Sequence, residues 1–324
     1  MPSAFVTGGS GFIGGRLIRR LVAEGWSVRG LARSEAAAGA VAAAGAEPVR
    51  GDVADPASLY EAVRGCELAF HAAAQVGEWA PREQYERTNV VGTTNVLAAC
   101  RAEGVRRLVH VGTEAALLAG QPLVNVDETA PLRPDSPSPY CSTKARAEQA
   151  VRASNGDGLE TVVVRPRFVW GPGDAVVLPS LVDAVKSGRF SWVGGGTHRT
   201  STTHVDNVVE GLWLAATRGE PGGVWFVTDG EPVVFREFVT RLLATEGVEA
   251  PDRSAPAAVA RAGAAVAETL WRALPLRGRP PLTRMAVWVS ALECTIDISR
   301  ARRELGYEPV RTIDDGLAEL GAAA

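Results

Sequence analysis

Cysteine is scarce and scattered in this chain of 324 residues. The four cysteines are Cys66, Cys100, Cys141 and Cys294, and no two of them have the close spacing of a zinc site or a redox pair. A secreted disulfide scaffold is therefore excluded, and the pattern predicts reduced thiols in a cytoplasmic protein. The chain also has only 4 histidines, which lack the spacing of metal ligands, so no metal site is predicted.

Long apolar runs and an excess of one charge are missing as well. No uncharged apolar stretch reaches the roughly 18 residues that cross a bilayer, so no transmembrane segment is predicted. The first residues read as a strand of the fold, which argues against a signal peptide. With 34 basic and 37 acidic side chains the net charge is -3, which gives no reason to expect nucleic acid as a partner.

Glycine, by contrast, is concentrated where a nucleotide would need it. Residues 4–6 are apolar and read as a short buried strand, a turn with Gly8, Gly9 and Gly11 follows, and apolar residues then recur at helical spacing. Gly9, Gly11 and Gly14 have the Gly-x-Gly-x-x-Gly spacing. Such a turn aims backbone N–H groups and the positive end of a helix at one point, which suits the pyrophosphate of a dinucleotide.

Strands and helices then alternate along the first half of the chain. Further strands are expected at 26–32, 48–52, 68–74, 108–111 and 161–164, with a long helix over 85–103. This alternation predicts an α/β fold with a Rossmann-type, doubly wound parallel sheet. Residues 1–165 are expected to form the NAD(P)-binding domain. Residues 166–324 are expected to form a smaller, mostly helical substrate-binding region, from which elements near 203–228 return to the sheet.

The end of the second predicted strand favours one nicotinamide cofactor over the other. An acid normally holds the adenosine ribose of NAD at this position, but here Arg29 and Arg33 stand in its place. A guanidinium can bind the 2′-phosphate of NADP by charge-assisted hydrogen bonds, so NADP is expected, with Arg33 as its ligand. Glu35, just beyond, keeps NAD as the alternative. Asp52 and Val53 end the next strand, beside the expected place of the adenine ring.

Tyr140 and Lys144 are four residues apart in a segment that reads as a helix. At that spacing both side chains lie on one face of the helix, within reach of each other. The ammonium is expected to stabilise the phenolate and lower the pKa of the tyrosine. A tyrosine tuned in this way can exchange a proton near neutral pH, which indicates general acid–base chemistry beside the dinucleotide site.

With these motifs together, the chain resembles an extended short-chain dehydrogenase/reductase. It is most similar to the branch of 3β-hydroxysteroid dehydrogenases and related reductases, and the similarity runs from one end of the chain to the other. The matching segments are TGGSGFIG at 7–14, GDV at 51–53, HAA at 71–73, TNVVGT at 88–93, YCSTK at 140–144, RP at 165–166, THVDN at 203–207 and LGYEP at 305–309.

The resemblance implies a division of roles within the site. Tyr140 would exchange the proton, Lys144 would tune it and bind the nicotinamide ribose, and Thr113 would hydrogen-bond the substrate oxygen. Relatives usually carry a pair of hydroxyl residues where this chain has Gly112 and Thr113, which leaves Thr113 as the expected donor. Asn89 would help to order the site. The residues expected to bind the cofactor are Gly8, Gly11, Phe12, Ile13, Gly14, Arg33, Asp52, Val53, Ala72, Ala73, Tyr140, Lys144 and Arg165.

Three functions stay open on these grounds. The first is an NADP(H)-dependent oxidoreductase that interconverts a hydrophobic ketone and its secondary alcohol. The second is a nucleotide-sugar epimerase or dehydratase with bound NAD, and the third is a cofactor-sensing protein without catalysis, which would normally have lost the Tyr–Lys pair. Relatives that act on nucleotide sugars usually carry an asparagine where this chain has Phe168, and a phenyl ring cannot replace the hydrogen bonds of an amide. The oxidoreductase is therefore favoured.

Apolar residues in the second half would suit such a substrate. Those expected to contact it are Val76, Phe168, Trp170 and Trp192, with a role in the core as the alternative. Residues 251–292 are expected to be mainly helical, and 257–274 are apolar almost all round. A helix of that kind needs a cover, so it either closes the substrate pocket as a lid or makes a peripheral membrane contact beside Arg277, Arg279 and Arg284. The oligomeric state stays open, with a homodimer among the alternatives.

Overall fold

The computed structural model describes residues 1–274, 276 and 278–323. Its strands are β1 (Ser3–Thr7), β2 (Ser27–Ala32), β3 (Glu47–Arg50), β4 (Leu68–His71), β5 (Arg107–Val111), β6 (Leu123–Val126), β7 (Glu160–Pro166), β8 (Val169–Trp170), β9 (Trp192–Val193), β10 (Arg199–Thr200), β11 (Thr203–His204), β12 (Val224–Val227), β13 (Val233–Val234), β14 (Ser254–Ala255) and β15 (Cys294–Ile296). Its helices are α1 (Phe12–Ala23), α2 (Glu35–Ala43), α3 (Pro56–Val63), α4 (Arg82–Tyr85), α5 (Gly92–Ala102), α6 (Pro139–Ala153), α7 (Val177–Lys186), α8 (Val205–Arg218), α9 (Phe235–Ala244), α10 (Ala257–Ala273), α11 (Arg284–Ala291), α12 (Ser299–Leu305) and α13 (Ile313–Ala323).

Within the described residues, 7 parallel strands form the main sheet, in the order β3-β2-β1-β4-β5-β7-β12. β4, β5 and β12 are buried along their whole length, which explains their almost continuous apolar sequences. Ala4 and Val6 of β1 pack on the face that carries α1 and α8, whereas Phe5 packs on the face that carries α3 and α5. Helices therefore cover both faces, and the predicted Rossmann-type fold is confirmed.

The strand order brings the ends of β1, β4 and β5 side by side. β1 pairs with β4, and β4 pairs with β5, all in parallel. Parallel α/β sheets bind their ligands in the crevice outside the carboxyl ends of such strands. β4 ends at His71, three residues before its predicted end, because the backbone N–H of Ala73 bonds the Thr7 hydroxyl at 3.1 Å instead of a neighbouring strand.

The helix predicted over 85–103 contains a π-helical segment. α4 leads into Glu86–Val91, which has π-helical hydrogen bonds, and α5 follows. Such segments are rare and often lie at functional sites. The buried Tyr85 at the end of α4 donates its hydroxyl to the Gly77 carbonyl at 2.7 Å, which ties the helix to the loop after β4.

Beyond β7 the chain builds smaller units beside the main sheet. β12 pairs with β7, and α8 packs against β5 and β7. β13, β10, β15 and β6 form a second sheet. A cluster of aromatic side chains, which includes Trp170, Trp192, Phe235 and Phe238, fills the space beside α7 and α9. The division into a cofactor domain and a substrate region remains a prediction.

The predicted helical stretch 251–292 contains α10 and α11, which pack on each other. Ala260 and Ala264 of α10 are buried in this contact, whereas Val259 and Val266 on its other side are 65% and 59% exposed. Among the described residues, packing therefore covers one side of this apolar helix and leaves the other side exposed. We call the exposed side the outer face of α10.

The arginines that flank α10 are not all available for a membrane contact. Arg284 donates to the buried Glu268 of α10 at 2.8 Å, so its charge is already paired. Arg279 is exposed, and Arg277 lies outside the described residues. No helix in the described part of the chain combines the length and the apolar character that crossing a bilayer requires.

A glycine in the first turn of α1 and a glycine of α2 should respond in opposite ways to an added methyl group. In Gly14→Ala the new Cβ would lie 2.1 Å from the backbone oxygen of Gly8, so the loop must move, and we expect a loss of about 1–3 kcal/mol in the free energy of unfolding. Gly39 lies inside α2 with no atom within 4 Å of that position, so Gly39→Ala should gain about 0.5–1 kcal/mol. Thermal unfolding of both variants measures this, and equal melting temperatures would contradict the tight contact.

Candidate active site

The glycine turn after β1 forms a cradle in which added side chains would collide with backbone. The N–H of Gly11 donates to the carbonyl of Gly8 at 2.9 Å, and Gly8 has a φ of +71°. A Cβ on Gly8 would lie 2.8 Å from the backbone of Ala72 and Ala73 at the end of β4. One on Gly14 would meet the Gly8 carbonyl. The turn therefore presses against the loop after β4 and leaves room only for backbone.

The first turn of α1 has free N–H groups at this cradle. Within the described residues no side chain caps α1 at Gly11, and its first turn contains no acid. Ile13 packs into the core, and Phe12 lies beside the backbone of Gly173. Open N–H donors at the positive end of a helix fit the pyrophosphate of a dinucleotide.

The structure separates the two arginines that the sequence placed near the ribose. Arg29 donates to Glu47 at 3.4 Å and to the Arg64 carbonyl at 3.0 Å, so its guanidinium is engaged within the protein. Arg33 is exposed at the end of β2 and makes no hydrogen bond through its side chain to any residue that the structure describes. Ser34 follows and caps α2. Arg33 is thus the arginine available to a ligand here.

Glu35, the acid that would favour NAD, already forms an ion pair within the protein. Glu35 pairs with Arg50 of β3 at 3.3 Å, on the surface. Asp52 accepts a hydrogen bond from the backbone N–H of Ala54 at 2.9 Å, and Val53 is buried. Asp52 therefore shapes the loop after β3, where the adenine was expected.

Tyr140 and Lys144 lie on the first two turns of α6, on one side of the helix. α6 begins with Ser138 as its cap and Pro139 in its first turn. Lys144 is buried, and its Nζ donates to the carbonyl of Val111, the last residue of β5, at 2.8 Å. The tyrosine is partly exposed. The pair is thus anchored at the end of β5, two strands away from the glycine turn.

The pKa values in this pair differ from the sequence-based expectation. Burial lowers the pKa of Lys144 to about 8, and the nearby Glu148 carboxylate opposes this. The pKa of Tyr140 is raised above its usual range, first by burial and then by the Glu114 carboxylate. The expectation that Lys144 lowers it is therefore wrong in this structure. Its ammonium bonds the carbonyl of Val111, whereas a carboxylate from another element acts on the phenol.

Thr113 lies next to this carboxylate, at the end of β5. Its hydroxyl accepts from the N–H of Ala115 at 3.1 Å and donates to Glu114 at 2.8 Å. Glu114 in turn accepts from Arg167 at 2.9 Å, and both charged side chains are buried. Sequence reasoning gave neither of them a role. An acid directly after Thr113 was the only signal, and nothing in the sequence showed that an arginine 53 residues away would meet it.

A buried histidine network, also missed, supports the site from behind. The Thr93 hydroxyl donates to the Asn89 carbonyl at 2.6 Å, so it accepts from Nε2 of His71 at 2.9 Å. The Thr7 hydroxyl accepts from the N–H of Ala73 and donates to Nδ1 of His71 at 2.8 Å. Burial, with a smaller effect of the Lys144 charge, lowers the pKa of His71 to about 3. The imidazole stays neutral and links β1, β4 and α5.

Asn89 fixes the loop after β4 from the π-helical segment. Its Oδ1 accepts from the N–H of Gln75 at 2.7 Å, and its Nδ2 donates to the Gln75 carbonyl at 3.2 Å and to the Thr143 hydroxyl at 3.1 Å. The side chain thereby joins this loop to α6. Val76, expected to contact substrate, follows in the same loop and is half exposed.

Other predicted contact residues are core residues in this structure. Arg165, expected at the cofactor, is fully buried and pairs with the equally buried Glu148. Trp170 and Trp192 are also fully buried, and their indole N–H groups donate to Asp229 and to a backbone carbonyl, each at 2.8 Å. None of the three offers surface to a ligand, because long-range packing closes over them.

Phe168 keeps part of its surface, and its backbone is unusual. It has a φ of +42°, a left-handed conformation that a bulky side chain seldom adopts. Its ring packs edge-on against Phe235 and Phe238, with centroids 6.2 and 5.9 Å away. Strain of this kind is often found at functional sites, which keeps Phe168 a candidate for substrate contact.

One group of potential metal ligands occurs among the described residues. Ligand atoms of His204, Asp206 and Glu319 lie within 4.8 Å of one another. Two arginines already share the acids: Arg16 binds Asp206 at 2.6 Å and Glu319 at 3.5 Å, and Arg311 lies 3.4 Å from Asp206. This group is therefore an ion-pair network that joins α1, α8 and α13.

A comparison with protein families identifies the chain. The model of the 3-beta hydroxysteroid dehydrogenase/isomerase family matches residues 5–256. The chain belongs to this family. It is an oxidoreductase of the extended short-chain dehydrogenase/reductase type, and the resemblance seen in the sequence is confirmed.

Relatives of this family member include two named reductases. The chain is 49% identical over 319 residues to a 4-hydroxy-2-methyl-3-oxo-4-farnesyl-3,4-dihydroquinoline-1-oxide ketoreductase of Stigmatella aurantiaca, covering 98% of this chain and 96% of that protein. It is 39% identical to a 2-alkyl-3-oxoalkanoate reductase of Stenotrophomonas maltophilia, covering 98% of each. Among solved structures, a dTDP-glucose 4,6-dehydratase double mutant of Streptomyces venezuelae with NAD bound is 25% identical, with a TM-score of 0.76 over 98% of this chain and 95% of that one.

Removing the Tyr140 hydroxyl should strongly lower turnover of this family member without preventing cofactor binding. In Tyr140→Phe we expect kcat to fall on the order of 10²-fold or more, because the ring remains but no acid is left to transfer the proton. Steady-state kinetics and quenching of tryptophan fluorescence by cofactor measure the two effects. Tyr85→Phe is the matched control, because it loses only the bond to Gly77. A Tyr140→Phe variant with the wild-type kcat would show that another group supplies the proton.

Proposed function

We propose that this chain is an NADP(H)-dependent ketoreductase that interconverts a hydrophobic ketone and its secondary alcohol. One observation carries the proposal. The ends of β1, β4 and β5 lie side by side, so the glycine cradle after β1 lies on the same edge of the sheet as Thr113 and the anchored pair of Tyr140 and Lys144, two strands away. A dinucleotide seated on the cradle would extend along these strand ends toward the tyrosine.

The residues at these strand ends have separate tasks. The cradle and the first turn of α1 hold the pyrophosphate, and Lys144, fixed by the Val111 carbonyl, binds the nicotinamide ribose. When bound, the nicotinamide supplies or accepts the hydride. Tyr140 donates its proton to the oxygen of the ketone, and it can do so because the phenol stays protonated near neutral pH.

Arg33 favours NADP over NAD, because its guanidinium is exposed and has no hydrogen-bond partner among the described residues. The 2′-phosphate would lie near the end of β2, where this guanidinium is exposed and can bind two phosphate oxygens. Arg29 cannot compete, because Glu47 and the Arg64 carbonyl already hold it. Glu35, whose charge would oppose a phosphate, is paired with Arg50.

Loss of the Arg33 charge should therefore weaken NADPH alone. In Arg33→Ala we expect the Kd of NADPH to rise about 10-fold or more, and the Kd of NADH to stay the same because NADH has no 2′-phosphate. Arg29→Ala is the matched control and should change neither. Fluorescence titration of both cofactors measures the result. A wild type that prefers NADH, or equal losses for both cofactors, would contradict the assignment.

An extended apolar substrate is supported by the relatives and by the second half of the chain. The named substrates of the two reductases carry a farnesyl or an alkyl group. In this chain Val76 and Phe168 keep apolar surface, and Phe168 stands where an amide would be needed for a sugar nucleotide. The support for the nucleotide-sugar alternative is the similarity of fold between this chain and the dTDP-glucose dehydratase.

The pair of helices α10 and α11 is the proposed lid of this pocket. Thr283, the cap of α11, donates to Glu78 in the loop after β4 at 3.1 Å, and Arg272 of α10 lies over the ring of Trp79 at 5.5 Å. The lid therefore rests on the loop that carries Val76. Trp271, beside Arg272, is partly buried, and its indole N–H is buried without a partner among the described residues.

A panel of ketones of increasing chain length, with NADPH, tests the substrate class and the lid together. Trp271→Ala should raise the KM of the longest ketone about tenfold, because the alkyl chain of that ketone loses an aromatic contact. The KM of NADPH should stay unchanged. Leu270→Ala, on the exposed outer face of α10, is the matched control and should change neither.

Two results would redirect the proposal. Turnover of UDP-sugars without turnover of any ketone would favour the epimerase or dehydratase. Pelleting with anionic vesicles that Leu270→Glu abolishes would assign the outer face of α10 to a membrane surface.

A further inference from the structure

A buried ion pair joins the segments that follow β5 and β7. Oε1 of Glu114 accepts from Nη1 of Arg167 at 2.9 Å, and both side chains are buried. The two strands are parallel neighbours in the main sheet, so their carboxyl ends lie at the same edge. Thr113 precedes Glu114 in the chain, and Phe168 follows Arg167. The ion pair therefore ties the segment that contains Thr113 to the segment that contains Phe168.

The guanidinium of Arg167 covers the ring of Phe168. Its Cζ lies over the ring at 5.7 Å from the centroid, within the range of a cation–π contact. The same group donates through Nη1 to Glu114 at 2.9 Å and through Nη2 to the hydroxyl of Thr200 at 3.3 Å. Arg167 would give up both hydrogen bonds if it moved away from the ring, so its position over the ring is fixed.

The backbone of Phe168 is also held, in a conformation that a bulky residue avoids. Its φ is +42°, and the carbonyl groups on both sides of that bond contact Thr203. The hydroxyl of Thr203 lies 2.8 Å from the carbonyl oxygen of Arg167, and its N–H donates to the carbonyl of Phe168 at 3.3 Å. Phe235 and Phe238 pack edge-on against the ring. The orientation of the ring thus depends on several contacts from distant parts of the chain.

The ring of Phe168 is held but not closed off. Trp170 and Trp192 of the same aromatic cluster are fully buried, whereas Phe168 keeps part of its surface. An aromatic ring that is fixed at this edge of the sheet offers an apolar wall to a ligand bound there. The free energy that such a wall contributes grows with the apolar area that the ligand covers, so a long alkyl chain gains more from it than a short one.

We propose that Glu114 and Arg167 are positioning residues that hold the ring of Phe168 as an apolar wall of the substrate site, and that this wall selects ketones with a long apolar chain. The inference rests on the ketoreductase function proposed above, and it assigns the preference for chain length to one side chain and the ion pair that holds it. A ring that is already fixed has no freedom to lose when the substrate binds, so the contact adds affinity without a cost of ordering.

The wall is tested by Phe168→Ala with a short and a long ketone. We expect the KM of the long ketone to rise about tenfold relative to that of the short one, because only the long chain covers the ring. The Kd of NADPH should stay the same. Phe168→Leu keeps an apolar side chain and should keep most of the preference. An unchanged ratio of the two KM values in Phe168→Ala would show that the ring is not part of the substrate site.

The ion pair is tested by the double variant Glu114→Gln/Arg167→Met, because removal of one charge alone would leave the other buried without a partner. Gln can still accept from Thr113. Without the guanidinium over the ring, the preference for the long ketone should fall about threefold or more, with kcat for the short ketone nearly unchanged. Arg107→Met/Glu160→Gln is the matched control, because that ion pair, at 2.7 Å, joins the first residues of the same two strands. It should leave the preference unchanged.

Fluorine NMR reports the state of the ring without turnover. The chain has 8 phenylalanines, so labelling with 4-fluorophenylalanine and comparison with Phe168→Leu identify the signal of Phe168. In the double variant this signal should narrow and move toward that of the free amino acid, because the ring turns more freely. In the control variant it should stay where it is in the wild type.

The two readouts separate this inference from the proposed function. An unchanged fluorine signal in the double variant overturns the positioning role, and an unchanged preference for chain length overturns the selectivity. Failure to reduce any ketone overturns the ketoreductase function, while the fluorine signal still reports whether the ion pair holds the ring. If the double variant does not fold, Arg167→Lys takes its place, because lysine keeps the charge but has no planar group to cover the ring. The same two outcomes then decide.

Discussion

The close backbone contact between the turn after β1 and the loop after β4 is the constraint on which the site depends. A Cβ on Gly8 would lie within 2.8 Å of the Ala72–Ala73 peptide, so only glycine lets the two segments meet. The same contact places the Ala73 N–H against Thr7 and thereby orients His71. The glycine cradle and the loop after β4 are consequently packed as one unit, and β5 lies on the other side of β4, next to Tyr140 and Lys144 of α6.

Buried ion pairs fix the side chains at the end of β5, where Lys144 and Thr113 lie. Lys144 is fixed to β5, while Glu148, which pairs with Arg165, favours its charged form against the effect of burial. The second buried pair, Glu114 with Arg167, fixes Thr113. Burying such pairs costs desolvation free energy that their attraction only partly offsets, so their value here is orientation more than stability.

Features of the fold and the site that depend on local sequence could be predicted, and those that depend on distant contacts could not. The glycine turn, the strand–helix alternation and the Tyr140–Lys144 spacing are local, and the fold they indicate is the fold observed. The pKa of Tyr140 is raised instead of lowered, first by burial and then by the Glu114 carboxylate, and both arise from elements distant in the sequence. Arg165 and Trp170 looked available in the sequence but lie under packing from remote segments. The π-helical segment has no simple periodicity that would have signalled it.

We propose that this site transfers a hydride to a ketone and consumes the cofactor. The most direct measurement uses NADPH with deuterium at the transferred position of nicotinamide C4, a long-chain ketone, and mass spectrometry of the product. We predict one deuterium on the carbinol carbon for each NADPH oxidised, and none with Tyr140→Phe beyond its residual rate. An alcohol product without deuterium, or conversion of a nucleotide sugar with no net change in the cofactor, would contradict the account.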